Sequence, residues 1–296
     1  MAYTGFNMDD HKIKIAGRSG CKVELYRLNT KDIVRKSSAT LDYNPRLSAQ
    51  CTKQQQFLAQ AEYFFPFTAP STYNRNEFND TELFWFEMEF VPGEKYSEYL
   101  GRCTLDQLNT LVNFYIRFIS KELELVEIKK IDPLILTSKL TAIKSTLLKR
   151  DNSPRLFLEV IANLQNHIPD SPLPLGICHG DFTLSNTLYF AGKIYMIDFL
   201  DSFIESPLLD IVKLRQDTKF YWSLLVETEI QPYQRNKIIQ VLRYFDKKLV
   251  TAFHNNLFYS TWYEYLEKLN LLRILPYLEN PQEINFIAAC LDRKES

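Results

Sequence analysis

The chain has 296 residues, 46% hydrophobic and 24% charged, the balance of a soluble globular protein long enough for one large domain or two lobes. Its 35 basic and 36 acidic residues leave a net charge of −1 without a long basic run, which argues against a nucleic-acid footprint. The apolar runs are too short to span a bilayer, and Met1–Gly5 lacks the charged-then-apolar pattern of a signal peptide. Five scattered cysteines with no Cys-x-x-Cys pair fit reduced thiols in a cytoplasmic protein better than a disulfide scaffold or a zinc site.

The first ninety or so residues read mainly as strands. Lys12–Ala16 is followed by the turn Gly17-Arg18-Ser19-Gly20, and Val23–Leu28 then alternates apolar and polar. A turn over 29–32 leads into Ile33–Lys36. From Arg46 to about Tyr63 the pattern is helical and polar, and Pro66 and Pro70 interrupt it. Leu83–Val91 is an apolar, aromatic strand stopped by Pro92-Gly93.

Beyond Gly93 helical spacing dominates. Thr104 with Gln107 forms a capping-box pattern, and Leu108, Leu111, Val112, Tyr115, Phe118 and Ile119 recur behind it. Ser153-Pro154 starts a second helix, and Pro172 and Pro174 mark an extended stretch. After residue 208 the chain reads as helices over about 209–226, 232–254, 260–274 and 281–291. Pro92-Gly93 is the natural boundary between a strand-rich part, 1–91, and a helix-rich part, 92–296.

Ile177-Cys178-His179-Gly180-Asp181-Phe182-Thr183-Leu184-Ser185-Asn186 is the stretch that carries chemistry, together with Tyr195-Met196-Ile197-Asp198 some twelve residues later. Phosphoryl transfer needs a carboxylate near the acceptor hydroxyl, and an amide and a second carboxylate to hold magnesium on nucleotide phosphates. A lone Asp/Thr/Ser/Asn loop is also ordinary turn composition. Leu188–Ile197 reads as a hairpin returning Asp198 toward Asn186, which adds a second, independent part to the pattern. Cys178 reads as core.

With these residues the chain resembles the aminoglycoside phosphotransferase and choline kinase family, small-molecule relatives of the protein kinases. The resemblance implies a two-lobed protein-kinase-like α+β fold with a small antiparallel-sheet lobe (1–91) for nucleotide and a larger, mostly helical lobe (92–296) for the acceptor. It implies Asp181 as the catalytic base, Asn186 and Asp198 as magnesium ligands, and His179 and Asp210 as supports of the catalytic loop. Pro207 and Asp210 match a downstream family motif in which Glu205 and Ser206 replace the usual Gly and Asp. Met88–Gly93 looks like the family's hinge, with adenine pairing to backbone at Glu89, Phe90 and Val91.

Lys36 ends a strand like the one that carries the phosphate-contacting lysine, with Arg35 on the opposite face. No acidic residue lies between Asn44 and Gln60 to pair with it, a departure that leaves Gln50 or Gln54 as neutral substitutes. Ser19 is a weak phosphate-loop candidate. The implied cofactors are ATP, or GTP, with Mg2+, and the implied partner is a small-molecule acceptor such as a sugar, amino alcohol or aminoglycoside. Asp201 and Glu205 are acceptor-binding candidates, while Tyr221, Trp222, Trp262 and Tyr263 divide between core and pocket. The acceptor's identity and the oligomeric state are open. Three rival readings stand beside it: a nucleotide-binding pseudokinase, which only the absent helix glutamate supports; a protein kinase, against which no Ala-Pro-Glu segment follows Asp198; and a purely structural turn, which leaves the hinge and lysine as coincidence.

Overall fold

In the computed structural model, residues 13–15, 21–28, 30–150, 154–227 and 230–293 are described. They fall into two compact units: Met1–Glu94 with Leu188–Asp201, and Lys95–Thr187 with Ser202–Ser296.

The first unit begins with β1 (Ile13–Ile15), β2 (Cys21–Leu28) and β3 (Lys31–Ser38), followed by α1 (Asn44–Leu58). Then come β4 (Phe67–Thr68), β5 (Thr72–Arg75), β6 (Trp85–Glu89) and the two-residue β7 (Glu94–Lys95). Five of these strands form a sheet in the order β1-β2-β3-β6-β5. The register puts Val34 opposite Met88, Arg35 opposite Glu87 and Lys36 opposite Phe86. Because a strand alternates faces, Val34 and Lys36 turn to the side covered by α1, and Arg35 turns away. α1 presents Leu47, Cys51 and Gln54 at helical spacing, and Leu47 and Cys51 pack with Val34, Phe84, Phe86 and Met88. The helix stops at Leu58, earlier than its composition suggested. The i→i+3 turn bonds of Gln60, Ala61, Tyr63 and Phe64 carry the helix-like pattern beyond it.

The second unit runs α2 (Tyr96–Arg102), α3 (Leu105–Glu124), β8 (Glu127–Lys129), α4 (Pro133–Leu147), α5 (Arg155–Asn166) and β9 (Leu173–Leu175). β8 and β9 pair antiparallel. The capping box at Thr104 and Gln107 forms as the sequence suggested. α4 was not anticipated, although Asp132 caps it and Pro133 occupies its first turn. Beyond residue 201 lie α6 (Pro207–Thr218), α7 (Trp222–Val226), α8 (Pro232–Phe253), α9 (Leu257–Ile274) and α10 (Pro281–Asp292). The single helix expected over 209–226 is two, because Tyr221 takes a left-handed conformation (φ 60°) that no helix continues through. The core gathers Tyr115 and Phe118 of α3, Phe245 of α8 and the loop residue Phe182, all at most 2% exposed.

In chain order the hairpin of β10 (Thr187–Phe190) and β11 (Lys193–Met196) precedes α6. Ala191 and Gly192 both have positive φ, 48° and 74°, as a tight two-residue hairpin turn requires. β11 adds in parallel to β4, with Ile194 opposite Phe67. Phe199 lies 5.5 Å from Phe57, and Lys53 donates to the Leu200 carbonyl at 2.8 Å. A division at residue 92 is therefore too simple: 188–201 packs with the unit the chain left near residue 94.

Candidate active site

The first unit assembles a cation, a carboxylate and a backbone edge. Lys36 is 3% exposed, and its ammonium donates to Asp198 Oδ1 at 2.7 Å. Burial opposes the charge, but the neighbouring carboxylate outweighs it and holds the amine above its ordinary value. Neither Gln50 nor Gln54 of α1 is its partner. Gln54 donates to the Pro70 carbonyl at 2.7 Å, and Gln50 to the Tyr43 hydroxyl at 3.4 Å. Asp198 itself has φ 61°, a strained conformation for a side-chain-bearing residue of the kind that concentrates at functional sites. Its side chain is 49% exposed, so one oxygen is held and the other is open.

Arg35, on the opposite face, is engaged elsewhere. It donates to Glu87, which also accepts from Tyr26 and Asn74, and it lies 4.2 Å over the Trp85 ring. In the hinge stretch, Glu89 N–H donates to the Ser71 carbonyl at 2.9 Å and Phe90 N–H to the Asp32 carbonyl at 3.3 Å. These bonds engage two of the three N–H groups in the stretch whose backbone is expected to pair with adenine. Among the described residues, Val91 N–H has no such partner.

The second unit builds the loop that carries Asp181 and Asn186. Phe182, fully buried, anchors it, with its ring 5.3 Å from Tyr115 and 5.0 Å from Phe118. α6 supplies the rest. Ser206 caps the helix with Pro207 in its first turn, and the spacing 210, 213, 217 places three charged side chains on one face. Asp210, wholly buried, accepts from the backbone N–H groups of His179 and Gly180. Asp217 accepts from Leu184 N at 2.7 Å and Ser223 N at 2.9 Å. Between them Lys213 Nζ meets Asp181 Oδ1 at 3.0 Å. His179 accepts from the Asp181 N–H at 3.2 Å, shaping the loop rather than facing outward.

Asn186 Nδ2 donates both to the Asp181 carbonyl, at 2.8 Å, and to Asp181 Oδ2, at 3.0 Å. Two acceptors on one side fix the amide's orientation, and its Oδ1 is left for another ligand. Both Asp181 oxygens are therefore held, one by an ammonium and one by an amide. Burial pushes the Asp181 carboxyl up, but the Lys213 charge and hydrogen bonding outweigh it, and the group lies below its ordinary value. Asp217 goes the other way: burial outweighs its hydrogen bonds from Ser223 and Leu184 and pushes it up to about 6.

The remaining candidates do not gather at either cluster. Ser19 lies outside the described residues. Asp201 is exposed. Glu205 is engaged on both oxygens, accepting from Ser202 N of its own loop at 2.9 Å and from the Cys178 thiol at 3.1 Å. Trp222, Trp262 and Tyr263 are core, and Trp262 donates to the Pro172 carbonyl. Cys178 is buried as expected, though in irregular backbone rather than a strand. Sequence reasoning missed Lys213 and Asp217. Their one signal was the spacing of charged residues on a helix already known to carry Asp210.

The sequence profile of the phosphotransferase enzyme family matches residues 18–237. No curated protein sequence matches the chain. Solved structures match it closely in fold at low identity. A thermostable mutant of aminoglycoside phosphotransferase APH(4)-Ia, in ternary complex with AMP-PNP and hygromycin B, is 13% identical with a TM-score of 0.59, covering 95% of this chain and 91% of that one. A fructosamine-3-kinase homologue from Haemophilus somnus 129PT is 12% identical with a TM-score of 0.56, covering 96% and 91%. Aminoglycoside phosphotransferase APH(2″)-IIia, in complex with GDP and kanamycin, is 13% identical with a TM-score of 0.55, covering 97% and 93%. These likenesses give the chain the protein-kinase-like α+β fold, and the profile match over most of its length makes it a member of the phosphotransferase enzyme family.

Proposed function

We propose that the protein transfers the γ-phosphoryl group of ATP to a hydroxyl of a small polar molecule, with Asp181 as the base. The observation that carries this reading is the arrangement of Asp181: one oxygen on Lys213, the other on the Asn186 amide, on a loop whose backbone is clamped by Asp210. A carboxylate held ionised and fixed in this way is suited to orient an acceptor hydroxyl and take its proton. The P–O bond to the leaving diphosphate breaks as the P–O bond to the acceptor forms, and the diphosphate keeps the electron pair.

Lys36 would hold nucleotide phosphates as a buried point charge, and the Val91 N–H would donate to the base. APH(4)-Ia with AMP-PNP and APH(2″)-IIia with GDP are the precedents for a nucleotide in this fold. Asn186 Oδ1 and the open oxygen of Asp198 are hard donors of the kind magnesium takes. Among the described residues no cluster of three or more His, Cys, Asp or Glu could cage a metal, as suits an ion held chiefly by phosphates. Bound there, magnesium would neutralise phosphate charge.

A pseudokinase reading rested on the missing glutamate of α1. Lys36 has an anionic partner in Asp198 instead, and Asp181, Asn186 and Asp198 are all present. No described helix is long and apolar enough to cross a membrane.

The test is diphosphate release from Mg-ATP across a panel of sugars, amino alcohols and aminoglycosides, with Asp181→Ala beside the wild type. We expect the variant to bind Mg-ATP within about threefold of wild type and to lose about 10³-fold in turnover. Acceptor-dependent turnover that survives in the variant rules out Asp181 as the base, and tight nucleotide binding without turnover on any acceptor favours a regulator.

A further inference from the structure

The geometry points to Lys213 as the positioning residue that sets the angle of the Asp181 carboxylate toward the acceptor, an assignment resting on the reading of Asp181 as the base. Asp181 lies on irregular backbone, where side-chain torsions are free unless something outside the loop fixes them. Asn186 fixes one oxygen, but Asn186 is on the same loop and moves with it. Lys213 is the contact that comes from a rigid element, the second turn of α6.

Lys213 is itself held. It is about an eighth exposed (13%), and Nζ also donates to Gln216 Oε1 at 3.4 Å. Gln216 accepts in turn from Asn270 of α9 at 2.8 Å, with both residues buried. On its far side α6 is fixed by Arg215, which grips Asp246 of α8 with two nitrogens at 2.9 and 3.0 Å and donates to Tyr259 of α9. The ammonium therefore has a fixed origin, and so does the carboxylate oxygen that it meets.

A purely structural role would duplicate bonds already present. Asp210 holds the backbone at His179 and Gly180, and Asp217 holds it at Leu184. Lys213 touches no loop backbone. It touches the one side-chain oxygen pair that the reaction uses, and that carboxylate is 31% exposed on its open side. Removing Lys213 leaves the loop in place and frees the carboxylate to rotate. Misplacing a catalytic group by about 1 Å costs roughly 10²-fold in rate.

The experiment compares Lys213→Met and Lys213→Arg with wild type, using Mg-ATP and the panel acceptor of highest rate, or water if none exceeds it. We expect Lys213→Met to lose about 10²-fold in kcat, with KM for Mg-ATP within about twofold and Tm within about 3 °C. Lys213→Arg, which keeps a cation at the same place, should recover at least tenfold of that loss. A methionine variant with kcat within threefold of wild type overturns the assignment. So does an arginine variant as slow as the methionine one, or a methionine variant that fails to fold, because Lys213 would then serve packing. A wild-type protein silent with every acceptor and with water defeats the reading of Asp181 and this assignment together; a defect confined to one of them shows in the variants alone.

Discussion

In the first unit Asp198 meets a buried ammonium and keeps its other oxygen open; in the second, Asp181 sits on a loop whose backbone is gripped by two buried carboxylates of α6. One arrangement depends on a single charge pair. The other spreads the task over Asp210, Lys213 and Asp217, each with its own target. The difference follows from local structure. A strand such as β3 satisfies its own backbone through the sheet, so its side chains are free to meet charge. An irregular loop must find partners for its N–H groups, and a helix face with acceptors at the right spacing provides them.

The largest effect should come from breaking the α6 grip. Asp210→Ala leaves the N–H groups of His179 and Gly180 buried without acceptors, at roughly 1–3 kcal/mol each. A loss of about 4 kcal/mol in urea-unfolding free energy is expected, and turnover should fall as it does in Asp181→Ala. A loss below about 1 kcal/mol would mean that water or a neighbour replaces the carboxylate, and that the loop does not rely on α6.

In the first unit the same logic predicts an asymmetry between partners. Asp198→Ala strands the Lys36 ammonium in an apolar site and should cost roughly 3 kcal/mol. Lys36→Met frees a carboxylate that is half exposed and hydrates readily, so its cost should stay below about 1 kcal/mol. Both variants should lose nucleotide affinity, measured by titration calorimetry. Equal destabilisation by the two would show that the ammonium is not the buried partner.

These contrasts also mark what could be read in advance. The loop, the hairpin and Asp198 were legible because their chemistry is local: turn residues, an apolar run and a terminal carboxylate within twenty residues. Asp210 was found through a family pattern. Its neighbours Lys213 and Asp217 carry no pattern of their own, and nothing in a sequence says which face of α6 meets the loop until that helix is packed. Lys36 was placed correctly on its strand face by alternation alone. Its partner was not legible, because Asp198 is 162 residues away and no local pattern links the two. The strand before Pro92-Gly93 was legible from its apolar run and proline stop. The loss of the Glu89 and Phe90 donors was not, since it depends on the neighbours Ser71 and Asp32. α4 was a different failure: its Asp132-Pro133 start and its Leu136, Leu140, Ile143, Leu147 series were present and went unread.

The smallest effect is a divergence of the two units with pH. Glu87 is pulled below its ordinary value by Tyr26, Arg35 and Asn74 against the push of burial. A carboxylate lowered in the folded state contributes stability above its unfolded value, about 4.5, and loses it as pH falls further. Asp217 is raised to about 6 from 3.8, so its ionisation opposes folding. Its penalty is absent below about 4, grows as pH rises to about 6 and is constant above that. Lowering the pH from 7 to 5 should therefore raise hydrogen-exchange protection at Leu184 and Ser223, by about tenfold, while β3 and β6 hold steady. Below about pH 4.5 protection in β3 and β6 should fall. Protection at Leu184 that instead drops between pH 7 and 5 would mean that Asp217 works as an anion there, and that its two N–H donors outweigh its burial.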